Sequence, residues 1–296
     1  MSPSLRVAAL TVLVALGLGL LVYPTAANWF AERDQASEIT GYTRAVDSMP
    51  GADQEAMLAA AEDYNVRLSQ GRTGTTDASD VDYRSQLAPR PGDVMAEVTI
   101  PSLRTTLPVY HGTGEDSLSR GIGHLYGTSL PVGGKGTHAV LSAHSGLVDA
   151  ELFTHLEDVT LGELFSIEVV GRRLVYQVDR VSVVRPDDDT LLQPVPGEDY
   201  VTLLTCTPTG INTHRLLVRG HRALPVSKDA EETVVAGRDI DPGFPWWAVQ
   251  LVGGTAAAVV VGCVLARPRG TRSATGSSTA KPDDDATRGV TTDAAP

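Results

Sequence analysis

Two cysteines occur in the chain, and they sit in very different company. Cys263 lies inside an uncharged apolar run, whereas Cys206 stands in "VTLLTCTPTGINTHRLLVRG", residues Val201 to Gly220. A thiol inside a membrane cannot reach one in a water-exposed domain, so Cys206 has no disulfide partner within the chain. Exported proteins usually pair their cysteines or lack them, and a solitary thiol is either a small buried hydrophobe or a nucleophile. Read as a strand, the stretch puts Thr202, Leu204 and Cys206 on one face and ends at Thr207-Pro208. Arg215 opens the next apolar run across "PTGIN", so a hairpin would bring thiol and guanidinium together at its open mouth. A guanidinium there can stabilise a thiolate and then hold the oxygen of a tetrahedral intermediate. The plainer alternative for Arg215 is a surface cation, as Arg219 and Arg222 would be. A thiol nucleophile also needs a proton carrier, most often histidine. Of the seven histidines, His138 and His144 share "THAVLSAHSG" and point the same way from an extended strand. Spacing alone leaves the choice among the seven open.

Two uncharged segments flank this chemistry. "VAALTVLVALGLGLLVY" covers Val7 to Tyr23, and "WWAVQLVGGTAAAVVVGCVLA" covers Trp246 to Ala266. A helix needs roughly 17–25 apolar residues to cross a bilayer, so the second is comfortably long and the first just long enough. Arg6 precedes the first, and Arg267 and Arg269 follow the second, which by the positive-inside rule puts both termini in the cytoplasm and the rest outside. The alternative for the first is a signal peptide cleaved near "PTAAN"; either way, residues 28–245 are exported. The expected organisation is a cytoplasmic N-terminus at 1–6, a span at 7–23 and a helical segment with a candidate lid at 28–91. A catalytic domain at 92–224, a polar tether at 225–245, a span at 246–266 and a disordered cytoplasmic tail at 267–296 follow. The net charge of −12 argues against a nucleic-acid partner. No Cys/His cluster has zinc spacing, and no cofactor is implied.

Within the exported part, Met57, Ala61, Tyr64 and Leu68 form one helical stripe, after a break at Pro50 and Gly51. The stretch from Gly71 to Pro91 has many turn formers and no periodicity, which predicts a long exposed loop. From Gly92 onward short apolar runs alternate with Pro and Gly: "VMAEVTI", "TLPVYHG", "HAVLSAHS", "LFSIEVV", "RLVYQVDRVSVV", "YVTLLTC" and "HRLLVRG". Such spacing predicts a mainly β fold, a sandwich or barrel, rather than a βαβ fold. The glycine-rich "GEDSLSRGIGHLYGTSLPVGGKG" is expected to wrap the outside as loop and short helix.

"TLLTCTPTGINTHRLLVRG" resembles the active-site signature of sortases, cysteine transpeptidases of Gram-positive cell surfaces. "YHGTGEDSLSRGIGHLYGTSLPVGGKGTHAVLSAHSGL", "LFTHLEDVTLGELF" and "DYVTLLTC" continue the likeness over roughly Val94 to Arg222, most like the class C, pilin-polymerising branch. The resemblance implies a closed β-barrel of about eight strands with short helices. It implies Cys206 as nucleophile, His144 as general acid/base and Arg215 as oxyanion stabiliser, with His124, His138 and His214 structural. It further implies cleavage of an LPXTG-like signal, carried by a surface or pilin protein, between Thr and Gly. The acyl group then passes to an amine, a pilin lysine or, in the housekeeping branch, a peptidoglycan precursor. The setting is the outer face of the membrane, and two flanking membrane segments are a feature of the branch. Departures from the family pattern are Ser145 and Val148 in "HSGLV", where the family writes "HRGLP", and Thr209, where tyrosine is frequent. All are expected beside the cleft, with an effect on substrate preference. Class C members usually carry a lid anchored by an Asp-Pro-aromatic tripeptide, absent from "GTTDASDVDYRSQL"; Asp77, or Asp82 with Tyr83, are the candidates in its place. A thiol hydrolase and a membrane-tethered binding module with an inert cysteine are the rival readings.

Overall fold

The computed structural model describes residues 3–72, 77–90 and 94–266. Short strands broken by Pro and Gly cannot bury both faces alone, and here they close on each other. The strands are β1 (Ala96–Ile100), β2 (Thr105–His111), β3 (Ile122–His124), β4 (Thr137–Ser142), β5 (Leu164–Val169), β6 (Arg172–Val184), β7 (Asp199–Thr207) and β8 (His214–Arg222). Around the barrel their order is β1-β2-β3-β4-β7-β8-β6-β5, with β1 pairing β5 to close it. Closure removes the free edges at which strands of other chains could pair. Seven strands match the seven runs read from the sequence. The three-residue β3 lies inside the glycine-rich stretch expected as loop, too short to carry an alternation of its own. Val98, Val109, Ile122, Leu141, Ile167, Leu203 and Val218 meet in the interior.

Two pairings in the barrel are parallel, β2 with β3 and β4 with β7. In the second, Ser142 lies opposite Leu204, so both strands end at the same rim.

Helices buttress the outside. The N-terminal helix α1 runs unbroken from Pro3 to Asp47, and its last turns press Ile39, Tyr42 and Val46 onto the barrel. The Tyr42 hydroxyl donates to the carbonyl of Met95 (3.1 Å) and accepts from the amide of Val170 (2.8 Å). Helix α2 (Gly51–Ser69) follows the break at Pro50 and presents the expected stripe, with Ala61 and Tyr64 buried and Met57 and Leu68 packed against the core. Asn65 reads both backbone groups of Leu130, at 3.0 and 2.7 Å.

The stretch expected as a long exposed loop differs: it folds as α3 (Asp77–Ser85) and buries Tyr83 and Leu87 completely. The reason is tertiary. The ring of Tyr83 packs 5.0 Å from that of His111, its hydroxyl accepts from the amide of Gly112 (2.9 Å), and it reaches His124 Nδ1 (2.9 Å). His124 Nε2 donates to the carbonyl of Ser129 at 2.8 Å, which fixes the tautomer and makes Nδ1 an acceptor. None of these partners is near Tyr83 in sequence. After β8, a helix α4 of four residues (Glu115–Leu118) having preceded β3, the segment read as a polar tether forms α5 (Lys228–Ala236). Beyond it, Arg238 donates to both carboxylate oxygens of buried Glu97 on β1, at 2.6 and 2.9 Å.

The last helix, α6 (Trp246–Ala266), lies antiparallel to the start of α1. Both are long and apolar enough to cross a membrane. Close approach needs glycine: a Cβ at Gly254 would lie 2.7 Å from Leu18, and one at Gly262 would lie 2.9 Å from Val7. Trp29, Phe30 and Trp247 cluster at the barrel-side end of this pair.

His124 couples the fold to pH. Complete burial pushes its pKa down to about 4, against an ordinary 6.5. The unfolded chain takes up a proton at this residue near pH 6.5 and the folded chain not until about pH 4, so acidification through that window favours unfolding by about 3 kcal/mol. Melting followed by circular dichroism should show the transition temperature falling between pH 6.5 and 4, and less steeply in His124→Asn.

Candidate active site

The site is built on the rim where β4 and β7 end. On β7, Val201 and Leu203 join the barrel core, so by alternation Thr202, Leu204 and Cys206 lie on the outer side of the strand, where Thr202 is covered and Leu204 and Cys206 are part-buried. Cys206 is a free, part-buried thiol one residue from the strand end. The β7–β8 hairpin sets Arg215 directly opposite it. Directly opposed Cβ atoms in antiparallel strands lie about 4.5–5.5 Å apart, within reach of a guanidinium. The Arg215 guanidinium turns toward the connecting turn and donates through Nη1 to the carbonyls of Asn212 (3.2 Å) and His214 (3.1 Å). Asn212 has a φ of +60°, a left-handed conformation that asparagine tolerates and that helps the turn double back.

His144 belongs to the segment that leaves β4, and the parallel pairing continues past the formal end of that strand. The amide of Ala143 donates to the carbonyl of Leu204 (3.1 Å), and Thr205 Oγ1 donates to the carbonyl of Ala143 (2.8 Å). On the other side of the histidine, Ser145 Oγ donates to the carbonyl of Cys206 itself, at 2.7 Å. His144 is thus stitched on both flanks to the residues carrying and preceding the thiol. Its ring is about one-third exposed, and Nε2 lies 3.7 Å from Glu115 Oε2 at the start of α4. Glu115 is 82% exposed, so this contact, an ion pair only when the imidazole is protonated, is screened and worth about 0–1 kcal/mol.

Beyond Ser145 the chain folds back on itself. The amide of Phe153 donates to the carbonyl of His144 (3.0 Å), and the amide of Gly146 donates to Thr154 Oγ1 (2.9 Å). Gly146 has a φ of +73°, and a Cβ there would lie 2.6 Å from Thr209 Cγ2. The histidine loop and the turn after Cys206 therefore touch, and two departures from the family pattern, at Ser145 and Thr209, lie at a single junction.

The other histidines are occupied. His138 Nε2 lies 2.7 Å from Thr202 Oγ1 and Nδ1 lies 3.1 Å from the carbonyl of Gln193; burial lowers its pKa. His124 is held by Tyr83 and Ser129 as described, and His214 Nδ1 lies 3.0 Å from Thr213 Oγ1. Of the candidate lid residues, Asp82 accepts from Arg67 (2.8 Å) and from the Gln86 amide (3.1 Å), and Tyr83 is committed to Gly112 and His124. The side chain of Asp77 falls outside the described residues. Among the described residues no His, Cys, Asp or Glu cluster could hold a metal ion. Sequence reasoning missed Glu115, which carried no signal, and the bond made by Ser145, which was visible merely as a departure from pattern.

Residues 98–223 match the family model for the sortase domain. Sortase A of Streptococcus agalactiae is 29% identical over 128 residues, a match that spans 42% of this chain and about half (51%) of that protein's length. Among solved structures, sortase C1 from Streptococcus agalactiae superposes with a TM-score of 0.61 at 42% identity, covering 62% of this chain and 97% of that one. Clostridium perfringens sortase C, solved with the C-terminal cell wall sorting motif, superposes with a TM-score of 0.57 at 40% identity, covering 63% and 98%. Identity at this level, over nearly the whole of each solved chain, goes beyond shared architecture: the chain belongs to the sortase family of cysteine transpeptidases.

Proposed function

We propose that this chain is a membrane-anchored transpeptidase that cleaves an LPXTG-like sorting signal between Thr and Gly and joins the acyl group to an amine, a pilin lysine in the first instance. The observation that carries this reading is the cross-strand pair of Cys206 and Arg215, with His144 stitched alongside through Ala143 and Ser145.

In the first step the Cys206 sulfur bonds to the threonine carbonyl carbon while Arg215 stabilises the developing oxyanion. The Thr–Gly bond breaks as His144 passes its proton to the departing glycine amine. In the second, an incoming amine attacks the thioacyl carbon, His144 takes its proton, and the thiolate leaves. Splitting one acyl transfer into two keeps each barrier lower. For Arg215 to reach the oxyanion, its side-chain bonds to the main-chain carbonyls of Asn212 and His214 must loosen, and both lie at an exposed turn. Likeness to sortase C structures favours a pilin lysine as acceptor. Likeness to proteins named sortase A favours, as a second reading, a peptidoglycan precursor. Arg6, Arg267 and Arg269 favour both termini in the cytoplasm and the barrel on the outer face.

Cys206→Ala should abolish the covalent thioacyl adduct, seen by mass spectrometry with a sorting-signal peptide, while leaving the barrel's melting temperature close to that of the parent. Cross-linked product from that variant would remove the nucleophile assignment. Ser145→Ala should lower kcat about tenfold with KM little changed, because it frees one flank of the histidine, and should cost about 1 kcal/mol in stability.

A further inference from the structure

The histidine loop is fastened at its far end to the helix that enters the membrane. Asn28 lies on α1 five residues after the apolar stretch ends at Tyr23, about 7 Å further along the helix axis. Its Oδ1 accepts from the backbone amide of Glu151 at 2.8 Å, across 123 positions of sequence. Its Nδ2 donates to Glu32 Oε1 one turn on, also at 2.8 Å. The second bond orients the amide, because a carboxylate can only accept, and so it presents the oxygen of Asn28 to Glu151.

Between Glu151 and His144 there is little slack. The amide of Thr154 donates to the carbonyl of Glu151 (2.7 Å), Thr154 Oγ1 accepts from Gly146, and the amide of Phe153 donates to the carbonyl of His144. Leu152 and Phe153 are buried, Leu152 with a φ of +43°. A shift of Glu151 therefore moves Phe153, and with it the carbonyl of the histidine. The helix itself is held independently of Asn28: Trp29 Nε1 donates to the carbonyl of Gly243 (3.0 Å), and Ile39, Tyr42 and Val46 are buried against the barrel.

We infer that Asn28 is a positioning residue for the reaction: through the amide of Glu151 it seats the loop that carries His144, so the membrane-entering helix is part of the catalytic apparatus as well as its anchor. This rests on His144 being the general acid/base. It also gives α1 a reason to stay attached, since cleavage near Ala27 would leave Asn28 at a chain end and unwind the turn that holds Glu32 beneath it.

The test uses the full-length chain in lipid nanodiscs, with two readouts: steady-state cleavage of an LPXTG-type peptide, and the pH profile of Cys206 alkylation by iodoacetamide. Asn28→Ala should lower kcat about tenfold with KM within about twofold and shift the alkylation profile, which reports the coupling of thiol to imidazole. The double variant Asn28→Asp with Glu32→Gln reverses the donor and acceptor between the two side chains yet keeps an oxygen for the amide of Glu151. It should restore both readouts. Unchanged kcat and alkylation profile in Asn28→Ala would overturn the inference, as would a loss that the double variant leaves in place. If the parent chain itself fails to cleave the peptide, the proposed function falls on its own account; an alkylation profile that shifts in Asn28→Ala and returns in the double variant would still uphold the clasp.

Discussion

The parallel pairing of β4 with β7 is the constraint on which the site depends. Cys206 and Arg215 meet through a hairpin, a local event that any short turn can bring about. His144 has no such route, since its partner strand lies more than sixty residues on and closing that loop costs entropy before any contact offsets it. Six residue pairs along β4 and β7 meet that cost, and the bonds at Ala143 and Ser145 carry the register beyond the strands. Continuing the ladder with side-chain hydroxyls lets the histidine stand free of the sheet. A ladder of backbone bonds alone would have pinned residue 144 flat against β7.

The surrounding helices protect that register in different ways. Helix α2 packs its stripe against the barrel wall and closes on Leu130 through Asn65. Helix α3 is held by a few polar contacts of a kind that works only when buried, with His124 neutral and bonded at both ring nitrogens. Burial that depresses the pKa of His124 also excludes it from proton transfer near neutral pH. The part-exposed ring of His144 suffers no comparable burial, which sets it apart from His124 and His138 as a candidate proton carrier.

The apolar helix pair and the candidate site are mechanically continuous. The α1–α6 pair is set by glycines that let the helices approach, and the aromatic cluster of Trp29, Phe30 and Trp247 lies where helix gives way to barrel. One residue before that cluster, Asn28 touches the loop that returns from His144.

Much of this was written locally and could be read without coordinates. Short apolar runs set off by Pro and Gly marked seven strands, uncharged runs marked both apolar helices, and a turn of Pro, Thr, Gly and Asn put Cys206 across from Arg215, because each of these depends on residues close together in the chain. Choosing among seven histidines from the residues alone was beyond that reading, and resemblance to a family had to stand in for it. Tertiary structure decided that the backbone on both sides of His144 is bonded to the strand carrying Cys206, that three residues at Ile122 complete the barrel, and that a turn-rich stretch becomes α3 once Tyr83 finds a pocket. It alone shows Ser145 bonded to Cys206 and Asn28 bonded to Glu151. Those contacts join residues far apart in sequence through single hydrogen bonds, and a single bond leaves no periodic trace in the chain that makes it.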